Sequence, residues 1–358
     1  MTSQNPRIAA VGAAFPPHYY DQETLLAAFR RQWGARYFNL DRLEQLHRNV
    51  LVGGRHLALP IEEYDALAGF GDSNAAWIRV ATEVGEQATR AALELAGLEA
   101  AELGAIFVVS VTGIATPSID ARLVNRMKLP ERIKRVPIFG LGCVAGAAGI
   151  ARAADYVKAY PDEAALLLSV ELCSLTLQKD DLSIPNLIAS GLFGDGAAAA
   201  VVAGAGLAER RAVRGPEIVA SRSIFYPDSE RVMGWDIESS GFRIVLSAEV
   251  PQVVERFLRR DVDAFLGDNG LTRAEIVSWV CHPGGPKVLE AMEQALELDR
   301  AALARTWRSL AEVGNLSSTS VLLVLADTMA ADRPAAGSWG MLLALGPGFC
   351  SELVLLRW

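Results

Sequence analysis

The sequence predicts an α/β fold made of two similar halves, and three observations predict it. Apolar runs without alternation, GAIFVVSV at 104–111, AALLLSV at 164–170 and EIVSWVC at 275–281, read as strands covered on both faces, the mark of parallel sheet. Amphipathic helical stretches alternate with them. The order strand, helix, strand, buried helix runs through once, passes a surface connection at 204–215, and starts over. Halves 1–212 and 213–358 are therefore expected to pack as one body, with the site where strand ends and helix starts converge.

The elements follow in order. Arg7 to Gly12 reads as a buried strand ended by Phe15-Pro16-Pro17, and Gln22 to Trp33 as a helix capped by Asp21. Leu40 to Pro60 mixes Arg42, His47, Arg48, Arg55 and His56 with apolar residues and reads as solvated positive charge. Ala75 to Leu98 is a long amphipathic helix, Thr112 to Pro117 a loop and Ser118 to Met127 a helix. The run from Val136 halts at Gly140 and Gly142 and restarts at Cys143 as an alanine-rich helix to about Tyr160. A polar loop follows Glu171 to Ser174, and Leu192 to Gly196 is a glycine-punctuated turn into a strand from Ala197 to Ala203. In the second half, Pro216 to Tyr226 is strand-like, Val250 to Leu266 helical, and Glu275 to Cys281 a strand running into His282-Pro283-Gly284-Gly285. Helices at 286–296 and 301–311, a helix opened by Gly314-Asn315 that ends near Ala330, and strands at 339–346 and 352–357 close the chain.

Composition narrows the class. A chain of 358 residues with 51% hydrophobic content fills one large core or two similar ones, and a net charge of −8 without a long basic cluster argues against nucleic acid. No apolar run reaches membrane-spanning length and no secretory leader pattern opens the chain, so a soluble, cytoplasmic protein is expected. The four cysteines lie far apart without metal-ligand spacing, so reduced thiols, no zinc and no disulfide framework are expected.

Three residues carry the chemistry. Cys143, at a tight turn that starts a helix, has unpaired backbone N–H groups and the positive end of a helix dipole near its sulfur, which favour thiolate. His282 and Asn315 occupy similar glycine-flanked turns. Singly, each has an ordinary structural reading: a buried cysteine, a hydrogen-bonded histidine, a helix cap. Together they supply a thiol nucleophile, a basic neighbour and fixed donors for a developing oxyanion or enolate.

Cys143 in GLGCVAG, LFGDGAA at 192–198, HPGG at 282–285, GNLSS at 314–318 and GPG at 346–348 resemble, in order and over nearly the whole chain, the type III polyketide synthases of the chalcone synthase superfamily. The resemblance implies a thiolase-like fold layered αβαβα and a homodimer. It implies that Cys143 takes a starter acyl group from acyl-CoA, while His282 and Asn315 hold malonyl-CoA through decarboxylation and Claisen condensation. His282 as imidazolium would stabilise the Cys143 thiolate. No metal or redox cofactor is implied, only CoA thioesters as substrates.

Phe193 matches one aromatic gatekeeper of the family. Ile244 stands where plant members carry a second, and Thr116 where they carry a methionine that crosses the dimer. Cys173 and Thr176 match cavity-wall positions, and Arg55 falls in the basic segment that the family uses for CoA, without the lysines that accompany it there. Loss of the aromatic ring at Ile244 and of the methionine at Thr116 is expected to open volume, and Met233 to Asp236 with Gly241 resembles the bacterial alkylpyrone and alkylresorcinol synthases, which implies a long acyl starter. A β-ketoacyl-ACP synthase of the type III kind shares the Cys-His-Asn trio, but HPGG stands where those synthases carry H-Q-A-N. A non-catalytic interaction protein on the same fold is the remaining alternative.

Overall fold

The computed structural model describes residues 4–34, 36–37, 39–330 and 333–358. The first half comprises β1 (Arg7–Ala14), β2 (His18–Asp21), α1 (Gln22–Trp33), α2 (Leu40–Asn49), β3 (Gly54–Leu57), α3 (Phe70–Ala96), β4 (Leu103–Val109), α4 (Ile119–Met127), β5 (Lys134–Ile138), α5 (Ala145–Ala159), β6 (Ala164–Leu172), α6 (Ile184–Leu192), β7 (Asp195–Ala203) and α7 (Ala205–Arg210). The second comprises β8 (Glu217–Phe225), β9 (Met233–Glu238), β10 (Gly241–Leu246), α8 (Val250–Asp268), β11 (Ile276–Cys281), α9 (Pro286–Leu296), α10 (Ala304–Val313), α11 (Ser318–Ala330), β12 (Trp339–Gly346) and β13 (Cys350–Arg357).

Strand order exposes the repeat that the sequence only hinted at. The main sheet runs β5-β4-β6-β7-β1-β8-β13-β12-β11. In the first half β4 lies parallel to β6, which pairs antiparallel with β7, which pairs antiparallel with β1. In the second, β11 lies parallel to β12, then β13 and β8 follow antiparallel. The halves share one strand pair, Arg7 opposite Glu217, where the two side chains also form an ion pair at 2.5 Å.

The strands of the first half and those of the second, joined only at β1–β8, form two sheet layers, and side-chain packing separates five layers in all. Helices α3 and α4 cover one face of the first sheet through Val80, Val84, Leu123, Leu168 and Val201. Helices α8 and α9 cover the outer face of the second through Leu258, Phe265, Met292, Leu343 and Leu353. Between the sheets lie α5 and α11, whose Ala147, Ile150, Val321 and Leu325 meet Leu167 and Ala200 on one side and Leu342 and Val354 on the other. This is the thiolase-like αβαβα arrangement. Every residue of β6 and of β7 is buried, which explains why neither alternates in polarity.

Several elements escape the sequence reading, among them α2, α7 and the short β2–β3 pair. The expected polar loop after Ser174 contains α6, started by Ser183 with Pro185 in its first turn. The 233–246 stretch is a two-stranded hairpin, β9 with β10. The stretch expected to be solvated also divides: Arg42 and Arg48 are exposed, but His47 and Arg55 are buried. No helix among the described residues is long and apolar enough to cross a membrane.

Candidate active site

Cys143 sits on a single 3-10 turn, Gly142–Val144, that leads β5 into α5. Gly142 has φ +55°, and a Cβ there would lie 2.5 Å from Pro347, so the GPG turn closes directly over the cysteine turn. The thiol is buried and donates to Ser317 Oγ at 3.5 Å.

Asn315 begins the turn that leads into α11. Its Oδ1 accepts from Ser317 N at 2.8 Å and its Nδ2 donates to Gly284 O at 3.2 Å, leaving one amide hydrogen unspent. Its backbone N–H donates to Leu192 O at 2.9 Å, and its carbonyl accepts from Gly194 N at 3.0 Å, forming a β-bridge with Phe193. Gly314, with φ +77°, permits this approach, because a Cβ there would meet Leu192 O at 2.7 Å.

His282 caps β11, with its N–H donating to Leu343 O at 2.9 Å and its carbonyl accepting from Gly284 N at 2.9 Å. Both ring nitrogens are buried without a hydrogen-bond partner among the described residues. A continuous series of contacts therefore joins the three turns: Cys143 to Ser317, Ser317 to Asn315, Asn315 to Gly284, and Gly284 to His282.

Electrostatics correct one expectation. Burial pushes the Cys143 thiol up to about 12, with the Glu171 carboxylate adding to the rise, and burial pulls His282 down to about 3. Desolvation works against the helix start, so burial favours neutral thiol and neutral imidazole over the expected ion pair. Glu171 is itself buried and pushed up to about 7, while it accepts hydrogen bonds from Ser110, Val111 N, Thr112 and Ser318.

A cavity of about 400 Å³ reaches this constellation through Phe193, the β-bridge partner of Asn315, while Cys143, His282 and Asn315 themselves are not in its wall. Its wall includes Cys173, Thr176, Phe193, Ile244 and Arg55, together with Trp235. Phe193 is thus both cavity wall and backbone partner of Asn315. Trp235 on β9 stands directly opposite Ile244 on β10, so an aromatic ring from the facing strand occupies the neighbourhood that Ile244 was expected to leave open. Thr116 lies outside the cavity, exposed in the loop after β4.

Arg55 requires a second correction. The residue is 1% exposed and its guanidinium donates to Gln22 Oε1, Ser190 O and Gly191 O, so it does not stand at the surface awaiting a phosphate. Sequence reasoning missed Ser317, Glu171 and Trp235 as members of the site. Ser317 lay within GNLSS and Trp235 within the 233–236 segment, but only their contacts reveal what they do.

The chain matches the families described as chalcone and stilbene synthases, N-terminal domain, over residues 2–206, and chalcone and stilbene synthases, C-terminal domain, over residues 217–358. It is 53% identical to a 1,3,6,8-tetrahydroxynaphthalene synthase of Streptomyces peucetius subsp. caesius, over 98% of this chain and 93% of that protein. It is 37% identical to a putative chalcone synthase of Bacillus subtilis, over 98% of both. Among solved structures, the 1,3,6,8-tetrahydroxynaphthalene synthase of Streptomyces coelicolor A3(2), a bacterial type III polyketide synthase, superposes with a TM-score of 0.91 at 34% identity, covering 98% of this chain and 99% of that one. With both domain families matched in order, the chain belongs to the chalcone and stilbene synthases and is a type III polyketide synthase, an acyltransferase.

Proposed function

We propose that this enzyme builds a short polyketide from malonyl-CoA on Cys143 and closes it to a hydroxylated naphthalene. The observation that carries this reading is Trp235 facing Ile244 across β9 and β10 at the wall of a cavity of about 400 Å³. That volume is near the lower end of small-molecule sites, which run from roughly 300 to 1,000 Å³. The long aliphatic starter expected from Ile244 and Thr116 finds less support, because Trp235 fills space beside Ile244. The Streptomyces peucetius relative is named for such a naphthalene product.

In the proposed cycle, His282 accepts the Cys143 proton as the thiol attacks the thioester carbonyl of the starter, and CoA leaves as a thiol. Malonyl-CoA then loses CO2, and the electron pair of the broken C–C bond becomes an enolate, whose oxygen takes hydrogen bonds from His282 and the unspent Asn315 N–H. The enolate carbon attacks the Cys143 thioester, a new C–C bond forms as the C–S bond to Cys143 breaks, and the lengthened chain, now a CoA thioester, is taken back by Cys143 with CoA leaving as a thiol for the next round. A homodimer belongs to this reading: β5 is an edge strand, and beside it Ile114 and Phe139 are about half exposed, at 49% and 47%.

The experiment is incubation of the purified enzyme with malonyl-CoA alone and with acyl-CoA starters of graded length, read by product mass spectrometry. A hydroxylated naphthalene from malonyl-CoA alone is expected. Products formed only with long-chain starters would overturn the reading and restore the alkylpyrone or alkylresorcinol assignment.

A further inference from the structure

The C-terminal end of α6 is held by an unusual set of partners. Its last three carbonyls are all taken from outside the helix: Ser190 O by Arg55 Nη2, Gly191 O by Arg55 Nη1 at 2.8 Å and Gln22 Nε2 at 3.2 Å, and Leu192 O by the backbone N–H of Asn315 at 2.9 Å. Gln22 completes the knot by accepting from Arg55 Nη1 at 2.6 Å and donating to His47 O at 2.9 Å. His47 Nε2 lies 3.2 Å from Ser190 Oγ, and a Cβ on Gly191 would press on the His47 ring at 3.1 Å. The residue that follows this helix is Phe193, the backbone partner of Asn315.

Placing a guanidinium in the interior is costly unless its hydrogens are used, and here Nη1 and Nη2 make three hydrogen bonds while the buried Nε–H has no partner among the described residues. Arg55 has no carboxylate within ion-pairing distance among the described residues; Asp195 acts on it only through the longer-range field. Burial pulls its pKa down to about 10, still far above neutrality, so the charge persists. It rests at the negative end of α6, where helix carbonyls and macrodipole favour a cation and charge-assisted hydrogen bonds are strong.

We infer that Arg55 is a positioning residue of the condensation site. It clamps the last turn of α6 and thereby fixes Phe193 at the cavity wall and the Asn315 turn that meets the enolate, rather than binding the phosphates of CoA. This inference rests on the proposed condensing role of Asn315.

The test compares Arg55→Met and Arg55→Lys with the parent enzyme on malonyl-CoA and on the malonyl thioester of N-acetylcysteamine, which lacks every phosphate. Loading of Cys143 by an acyl-CoA is followed by intact mass. Decarboxylation of malonyl-CoA in Arg55→Met is expected to fall by about ten- to a hundredfold, the scale of a displacement of roughly an ångström. KM is expected to hold, acyl loading to stay stoichiometric, and the loss to be equal on both malonyl thioesters. Arg55→Lys, which lacks the two-pronged donor set, is expected to recover only part of the rate.

A KM increase confined to malonyl-CoA, with the truncated thioester unaffected, overturns the inference in favour of phosphate binding. Loss of acyl loading in step with decarboxylation overturns it in favour of general disruption. Should Arg55→Met not fold, Gln22→Met removes one partner of the clamp and is expected to show the same kinetic split at smaller amplitude; an unchanged rate there overturns the inference. If the parent enzyme makes no product from malonyl-CoA, the proposed function fails, and the clamp is then judged by whether Arg55→Met displaces Phe193 and Asn315 in a crystal structure.

Discussion

The Cys143 thiol donates to the Ser317 hydroxyl across 3.5 Å, and the backbone N–H of the same serine donates to Asn315 at 2.8 Å. One residue therefore touches both the nucleophile and the amide. Ser317→Ala removes the first contact and keeps the second, so it is expected to slow condensation by a few-fold, about the worth of one neutral hydrogen bond of roughly 1 kcal/mol. A loss of a hundredfold or more in steady-state kinetics would mean that the hydroxyl acts in chemistry as well.

Cys143→Ala deletes the sulfur from a buried turn whose backbone is set by Gly142 and Pro347. Thermal unfolding is expected to move little, and polyketide formation to vanish. Residual product would remove Cys143 from the role of nucleophile.

Trp235→Ala opens space opposite Ile244 on the cavity wall. The variant is expected to gain products from longer acyl-CoA starters while Cys143 still loads. Mass spectra that match those of the parent enzyme across the starter series would show that the indole does not set the limit.

The His47 side chain is buried, and desolvation with the nearby Arg55 charge pulls its pKa from 6.5 to about 3. The unfolded chain thus takes up a proton that the folded chain refuses. This residue's contribution to stability is complete above pH 6.5 and is lost as pH falls toward 3, by at most about 1.4 kcal/mol per pH unit. Glu171 and Asp195 act in the opposite sense, because burial raises both and the folded state holds their protons as pH climbs from about 4 toward 7. Comparing denaturant midpoints of the parent and His47→Phe between pH 4 and 7 isolates the histidine: the variant is expected to lose less stability on acidification. Parallel curves would contradict its burial as a neutral ring.

The fold was legible wherever burial on both faces wrote itself into composition. β7, α9 and β12 sit within a residue or two of their expected limits because a run of alanines, a proline start and an apolar stretch leave little choice. α6 was missed because it is short and carries Pro185 and Gly191, residues that ordinarily mark loops. The β9–β10 hairpin was missed because one face looks onto a cavity, so its residues have no reason to alternate clearly. Cys143, His282 and Asn315 stood out by their turns. Arg55 misled because two of its three partners are main-chain carbonyls, which no side-chain pattern records.

The sandwiching of α5 and α11 between the two sheets divides the molecule by its tolerance of change. The nucleophile and the amide stand at the starts of these helices, whose first turns are buried, so amide exchange there should be among the slowest in the protein. Trp235 and Ile244 hang on a peripheral ribbon outside that sandwich. New starter preferences can arise on the ribbon without disturbing the machinery, and a family on this scaffold is free to diversify its products while keeping one reaction.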